Sequence, residues 1–358
     1  MSDGVAADVV ASDSTDADDT FDWREDPLWL DGLVGPFGFG WAADRLGTYP
    51  SFVYAVVTVV VWAVGSTAYD LTVGLTPIYV ENPYFLLQPV VLVGGAYAAR
   101  SLHEEYGRVT EEMELADRAD EPGKLLDVVP RWLPWALFGV GAVAQLARTV
   151  PNYGTLGVTG LVANGFVFPF VYLPLIVQFA VVYVGIEFVA PWRLTRSEVG
   201  VHFMDPHGVG GMRPLGELVK RAYYYIVVGL VAYALITYAP LVESAPVNAT
   251  AGTVFTAVWV LSVATVAFAV LTLHRFMHRE KREEIRRLER RLHDHVENPY
   301  DVAEYAVPED ESDAVEDIQQ RIERVSATSE YPATFSIWSQ LLLSIVIPKA
   351  VQLLLASA

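Results

Sequence analysis

Seven long apolar runs are the feature that most constrains the fold of this 358-residue chain. A helix needs about 20 mostly apolar residues to cross the ~30 Å hydrocarbon core of a bilayer. The runs are interpreted as membrane spans over residues 51–69, 83–99, 132–148, 165–186, 222–241, 254–273 and 335–355. Residues 150–160, before the fourth run, read as a Gly-rich loop. Pro348 and Lys349 interrupt the last run, so a re-entrant helix is the alternative there. We therefore predict an all-α, polytopic membrane protein with about seven transmembrane helices.

The basic residues predict the orientation of these spans. All but two of the 24 Lys and Arg residues lie in the N-terminal segment and in alternate loops, and the exceptions are Arg148 and Lys349. Loops rich in Lys and Arg stay in the cytoplasm. We expect a multi-pass cell-membrane protein with its N-terminus in the cytoplasm and its C-terminus outside the cell. The sequon at Asn248 then lies outside, where this side chain can be glycosylated.

Composition excludes several classes of function and indicates a source. The net charge is −19 and cysteine is absent, which argues against a cationic nucleic-acid surface, a disulfide framework and a thiolate site. We expect no cofactor, no nucleic-acid partner and the lipid bilayer as the main partner. Abundant Asp and Glu with only four Lys are typical of a salt-adapted archaeon, because hydrated carboxylates keep proteins soluble when salt screens charge. An acidic tail on an ordinary bacterial membrane protein is the alternative.

The chain divides into five segments. Residues 1–20 read as a disordered acidic tail. Residues 21–49 are rich in Trp and Phe, and either lie in the headgroup zone or pack on the cytoplasmic helices. A six-helix transmembrane domain (50–273), a cytoplasmic helical hairpin (274–330) and a C-terminal transmembrane or re-entrant helix (331–358) complete the predicted organisation.

Two apolar stripes predict the hairpin. Ile285, Leu288 and Leu292 form one stripe, and Val315, Ile318, Ile322 and Val325 form the other, all at intervals of three and four residues. Such spacing places each stripe on one face of a helix. Packing within one chain is the first interpretation. A coiled coil in a homo-oligomer and contact of the Arg-rich face with lipid headgroups are the alternatives.

A cytoplasmic loop between the fourth and fifth spans is the most unusual segment. Asp205 and His207 are close enough in sequence to act as an acid–base pair. The glycine amides of Gly208, Gly210 and Gly211, beside Arg213, are suited to an anion. The alternative is a tight loop that seats a helix end against the hairpin.

This loop resembles one found in an uncharacterised group of prokaryotic, haloarchaeal-type multi-span membrane proteins. The corresponding loop of that group reads His-Pro-Asp-x-x-Gly-Gly-x-x-Pro/Phe-Leu-Gly. Here Gly210, Gly211, Leu215 and Gly216 fit the pattern, while the carboxylate and imidazole are reordered as Asp205-Pro206-His207. The resemblance covers about 20 residues and implies no activity. The span order also resembles that of insect-type seven-span chemoreceptor channels, in architecture only.

Polar residues within or at the ends of spans are candidates for function, because such groups are costly in a bilayer. They are Gln178, Glu187, Gln340, Lys349 and Asp70. We expect Glu187 to extend to the inner surface. Lys349 either extends to the outer surface, pairs with Asp70 or lines a water path. His274 and His278 have metal-capable spacing, but without a third ligand we expect no metal site.

Two functions remain open from the sequence. The leading hypothesis is a non-enzymatic, channel-like or sensory protein whose cytoplasmic helices are coupled to the last two spans. The rival is a membrane-embedded enzyme or lipid-handling protein that uses Asp205, His207 and Arg213.

Cysteine labelling tests the orientation directly, since the chain has no native cysteine. In whole cells, an impermeant thiol reagent should label Asn248→Cys and Ala358→Cys but not Asp310→Cys, because only the first two lie in the predicted outer segments. Labelling of Asp310→Cys without Asn248→Cys would reverse the orientation.

Overall fold

The computed structural model describes residues 22–118, 125, 129–150, 154, 157–238, 249–296, 311–331 and 335–357. The acidic tail, Asn248, Asp310 and Ala358 lie outside these residues. Within them every secondary-structure element is helical, and the all-α prediction is confirmed. The main helices are α1 (Trp29–Val34), α2 (Phe39–Leu46), α3 (Pro50–Thr72), α4 (Leu87–Glu112), α5 (Leu133–Thr149), α6 (Leu173–Val184), α7 (Arg213–Tyr238), α8 (Ala249–His295), α9 (Ser312–Ala327) and α10 (Phe335–Ser357).

Five helical stretches are long and apolar enough to cross a membrane. They are Pro50–Thr72, Pro83–Glu112, Gly160–Leu194, Arg213–Tyr238 and Gly252–His295. The third and seventh predicted spans contain the shorter apolar helices Leu133–Ala147 and Leu342–Leu355. The chain therefore has the character of a membrane-embedded helical protein.

The fourth span is longer and less regular than the sequence indicates. Its apolar helix begins at Val158–Val162, inside the segment that we expected to be a Gly-rich loop, and ends with Ala190–Leu194. Wider π-helical turns occupy Ala163–Tyr172, which contains Pro169, and Gly185–Val189. A proline has no N–H to donate and breaks the regular α pattern. Single π turns are often found at functional sites.

Helix α4 lies at the centre of the bundle. It contacts α3, α6 and α7, while α10 packs along α7 and α5 along α6. Gly141 of α5 allows the last of these contacts, because a Cβ atom there would lie 2.4 Å from Leu173 Cδ1. The largest apolar core joins the ends of α4 and α6, the beginning of α7 and the middle of α8.

The aromatic segment before α3 is split between the interior and the surface. Leu30 and Asp31 of α1 are fully buried, whereas Phe37 and Trp41 are exposed. The Asp31 carboxylate accepts hydrogen bonds from the backbone N–H groups of Leu28 (3.1 Å) and Ser51 (2.8 Å). It therefore satisfies donors at the beginnings of both α1 and α3, which lack intrahelical partners. Helix α1 is thus part of the bundle, packed on α3 and α6.

Helix α8 joins the membrane domain to the hairpin. It has 47 residues and is about 70 Å long at 1.5 Å per residue. Beyond the bundle it packs on α9, where Leu288, Ile318 and Val325 form a small core with Ile285, Leu292 and Ile322 around it. The two predicted stripes thus meet within one chain.

Placing a carboxylate in this small core should open the hairpin. Leu288 is 2% exposed, so Leu288→Asp should destabilise the α8–α9 contact by about 3–5 kcal/mol, the penalty for an uncompensated buried charge. Limited proteolysis of 274–330 should become faster. The matched control Arg290→Asp places the same side chain on the exposed face and should digest like the native protein. Equal digestion of both variants would show that the stripes do not hold the hairpin.

Candidate functional site

The Gly-rich loop between α6 and α7 is organised by its own carboxylate. Asp205 accepts hydrogen bonds from the backbone N–H groups of His207 (2.9 Å), Val209 (3.2 Å) and Gly211 (2.8 Å). Partial burial acts to raise the pKa of Asp205, but these three amides outweigh it, so the pKa lies below the ordinary Asp value. The carboxylate is a structural acceptor that fixes the turn.

The loop rests on the hairpin. Gly210 has φ of +66°, and a Cβ atom there would lie 2.4 Å from Val201 Cγ1 and 3.4 Å from Met277 Cε of α8. The Gly208 carbonyl accepts a hydrogen bond from the Ser329 N–H at 2.7 Å. Glycine is needed at position 210 for both its backbone angle and its space.

The side chains proposed for the enzymatic alternative do not converge on a cavity. The His207 ring is exposed and its Nδ1 atom lies 3.3 Å from Arg213 Nη1. Arg213 also pairs with Glu217 at 2.9 Å. Of the glycine amides predicted to bind an anion, that of Gly211 donates to the Asp205 carboxylate and that of Gly208 donates to the Asp205 carbonyl at 3.0 Å. This arrangement favours the structural interpretation, in which the loop packs the beginning of α7 against the middle of α8.

The segment after α9 is fastened to α8 by polar contacts, and we call residues 326–331 the strap. Glu330 binds His274 Nδ1 through its carbonyl and His278 Nδ1 through Oε2, both at 2.9 Å. The hydrogen bond from His278 holds the pKa of Glu330 below its ordinary value. Lys281 donates to the carbonyls of Ser326 (2.8 Å) and Thr328 (2.9 Å) at the end of α9. The two histidines therefore bind the strap, and no group of three metal-ligating side chains occurs in the described part of the chain.

Most of the polar side chains predicted within spans connect helices. The side-chain oxygen Oε1 of Gln178 in α6 accepts a hydrogen bond from the Leu30 N–H of α1 at 3.1 Å. Gln340 of α10 is within 3.4 Å of Lys220 Nζ and Tyr224 Oη of α7. Gln178 is buried, and its contact satisfies an N–H group that the bilayer cannot, whereas Gln340 is exposed.

Pairing with Asp70 was one of three arrangements expected for Lys349, and the partners described for it are neutral instead. Its ammonium donates to Gln352 Oε1 at 2.7 Å and lies 3.5 Å from Thr256 Oγ1 of α8. Gln352 in turn donates to the Tyr238 hydroxyl of α7 at 3.0 Å. Asp70 is not among the contacts described for Lys349. The cation is thus held by neutral groups from three helices.

Among the described residues, Glu187 is the carboxyl whose two oxygens are both buried without a hydrogen-bond partner, and Trp29 Nε1 and Gln178 Nε2 are further buried polar atoms without one. Glu187 is fully buried, so the expected extension to the inner surface is wrong. Among the described residues, neither carboxyl oxygen has a hydrogen-bond donor within reach. A buried polar group without a partner costs free energy, and this one is surrounded by apolar residues of the largest core, including Ile186 and Ala190.

The neighbours of Glu187 come from α6, α7 and α8. Its π-helical segment Gly185–Val189 contacts α7 and α8. Tyr183 and Tyr223 are within electrostatic range of its carboxyl, and the Tyr183 hydroxyl lies 3.0 Å from Thr265 Oγ1 of α8. Sequence reasoning did not single out these two tyrosines, although Tyr183 is one helical turn before Glu187 and thus on the same face.

No family model matches this chain, and no curated protein or solved structure is similar to it. The function must therefore be argued from the geometry.

Glu187 and Gln178 should respond in opposite ways to apolar replacement. Glu187→Met keeps the length of the side chain and removes the unpartnered carboxyl, so it should stabilise the protein by about 1–3 kcal/mol. Gln178→Met removes the acceptor of the Leu30 N–H and should destabilise it by a similar amount. Thermal unfolding of the purified protein in detergent measures both. A lower melting temperature for Glu187→Met would show that the carboxyl has a stabilising partner.

Proposed function

We propose that this chain is a non-enzymatic integral membrane protein that relays a change in its membrane core to its cytoplasmic hairpin. Helix α8 carries the proposal. It runs without interruption from Ala249 to His295, and it contacts the Glu187 segment within the bundle and α9 outside it. A helix without a break transmits displacement of one end to the other, because its backbone hydrogen bonds resist bending.

The Glu187 segment is the element that we expect to have two arrangements. A π turn holds one extra residue and is less stable than an α turn, and Glu187 has no partner in the present arrangement. If this carboxyl gains a proton or a partner, the free energy of burying it changes. The change is comparable to the free-energy difference between two conformations of a protein. Relaxation of Gly185–Val189 to α geometry would rotate its contacts with α8.

The strap supports coupling to the last two spans. It attaches the end of α9 to His274, His278 and Lys281 at the inner end of α8, and α10 begins at Phe335, shortly after it. Movement of α8 therefore acts on the hairpin and on α10 together. In this proposal the chain has seven spans, with the shorter apolar helices α5 and α10 as the third and seventh. The N-terminus and hairpin are then cytoplasmic.

Distance measurements between spin labels test the relay. With labels at position 112, at the end of α4 in the bundle, and at position 290 on the hairpin, both exposed, Glu187→Gln in nanodiscs should shift the distance distribution by several Å, on the order of one helical turn. The control Gln145→Leu removes a polar contact with Asn164, at 3.0 Å, between α5 and the fourth span, and should leave the distribution unchanged.

A break in α8 distinguishes a relay from an indirect effect. Arg282 and Glu283 of α8 are exposed. Replacing both with Gly should destabilise the helical conformation of α8 at this point by about 1 kcal/mol per residue, while the hairpin contacts remain. The shift caused by Glu187→Gln should then disappear. Identical distributions with and without Glu187→Gln in the unbroken protein would refute the relay, and ion flux through liposomes would favour a channel instead.

A further inference from the structure

Lys349 is a cation in the last helix whose described partners are all neutral. Gln352 and Thr256 are its hydrogen-bond partners, and the Phe255 ring centroid lies 6.0 Å from Nζ. An ammonium group has three donors, and two of them are directed to these residues. A cation at membrane depth is costly unless an anion accompanies it. Among the described residues no carboxylate contacts this ammonium, and an anionic ligand would accept its third donor and balance its charge.

A groove beside Lys349 has the polarity of a phospholipid. At the end of the bundle opposite the hairpin it is lined by Thr256 and Gln352, which contact the ammonium. Toward the middle of the span it is lined by Val260, Leu261 and Ala264. All three of these residues are exposed on the outside of α8, in the stretch that crosses the bilayer. The groove is therefore polar at the end opposite the hairpin and apolar toward the middle of the span.

We propose that Lys349, Thr256 and Gln352 bind the phosphate group of an anionic phospholipid, with an acyl chain along Val260, Leu261 and Ala264. The lipid belongs to the leaflet opposite the hairpin. Charge complementarity identifies the headgroup, because a phosphate supplies the negative charge that the ammonium lacks. The side chains are held in place, since Gln352 donates to the Tyr238 hydroxyl and so directs its carbonyl oxygen at Lys349. This site is independent of the proposed relay.

Lipid retention measured by native mass spectrometry tests the site. Protein from nanodiscs of equal phosphatidylglycerol and phosphatidylcholine should retain one phosphatidylglycerol molecule. Lys349→Gln should lower its occupancy about fivefold, the change expected from one basic residue, whereas Lys349→Arg should keep it. The control Lys220→Gln, at the opposite end of α7 beside Gln340, should retain lipid like the native protein.

A second variant keeps the test valid if Lys349→Gln fails to fold. Ala264→Trp fills the apolar part of the groove from an exposed position and should displace the lipid without touching Lys349. Equal retention of phosphatidylglycerol by native, Lys349→Gln and Ala264→Trp proteins would overturn the proposal. Equal binding of phosphatidylcholine would show that the headgroup charge is not recognised. Stabilisation by inorganic phosphate in phosphatidylcholine nanodiscs, to the extent seen with phosphatidylglycerol, would identify a soluble anion instead.

Discussion

Polar groups inside a bilayer have no water to bind, and the arrangement of this bundle follows from that constraint. Asp31 accepts the N–H groups that begin two helices, and Gln178 accepts one from α1. At the opposite side of the bundle, Gln352 joins Lys349 to Tyr238. The contacts of Asp31 with Ser51, of Gln178 with Leu30 and of Gln352 with Tyr238 join different helices. They fix which helix faces meet, a choice that apolar packing alone specifies weakly when the solvent is also apolar.

Some buried polar atoms in the described part of the chain depart from this rule, among them Trp29 Nε1 and Gln178 Nε2, and Glu187 is the carboxyl that does so with both oxygens. This carboxyl gives the bundle a candidate for function. It is buried without a described donor, in a π-helical segment that contacts both α7 and α8. Strain and unpartnered polar groups cluster at sites that change state, because a fully satisfied core has little reason to rearrange. The same core continues along α8 to Leu273 and Met277, next to the loop and the strap.

The sequence predicted what depends on local patterning and missed what depends on helix contacts. Runs of apolar residues identified the helices, and the spacing of Leu288 and Ile318 placed both on the face where they meet. Helix ends were harder: a charge-free stretch carries no signal for where the fourth span begins, so Val158 was assigned to a loop. The partners of charged groups could not be read at all. Glu187 was predicted to reach the surface, and Asp70 was one predicted partner of Lys349. Both predictions require knowing which helices are neighbours, and the sequence does not show this.

The strap also affects how the last helix finds its place. Helix α10 packs on α7, which precedes it by about 100 residues of chain, and closing a loop costs conformational entropy that grows with its length. Glu330 is bound to His274 and His278 of α8. Only a few residues then separate this attachment from the start of α10 at Phe335. Most of the conformational entropy of closing this loop is therefore lost when the hairpin forms, before α10 packs on α7. Assembly of the final helix thus becomes a short-range search, and α10 enters the bundle in one position.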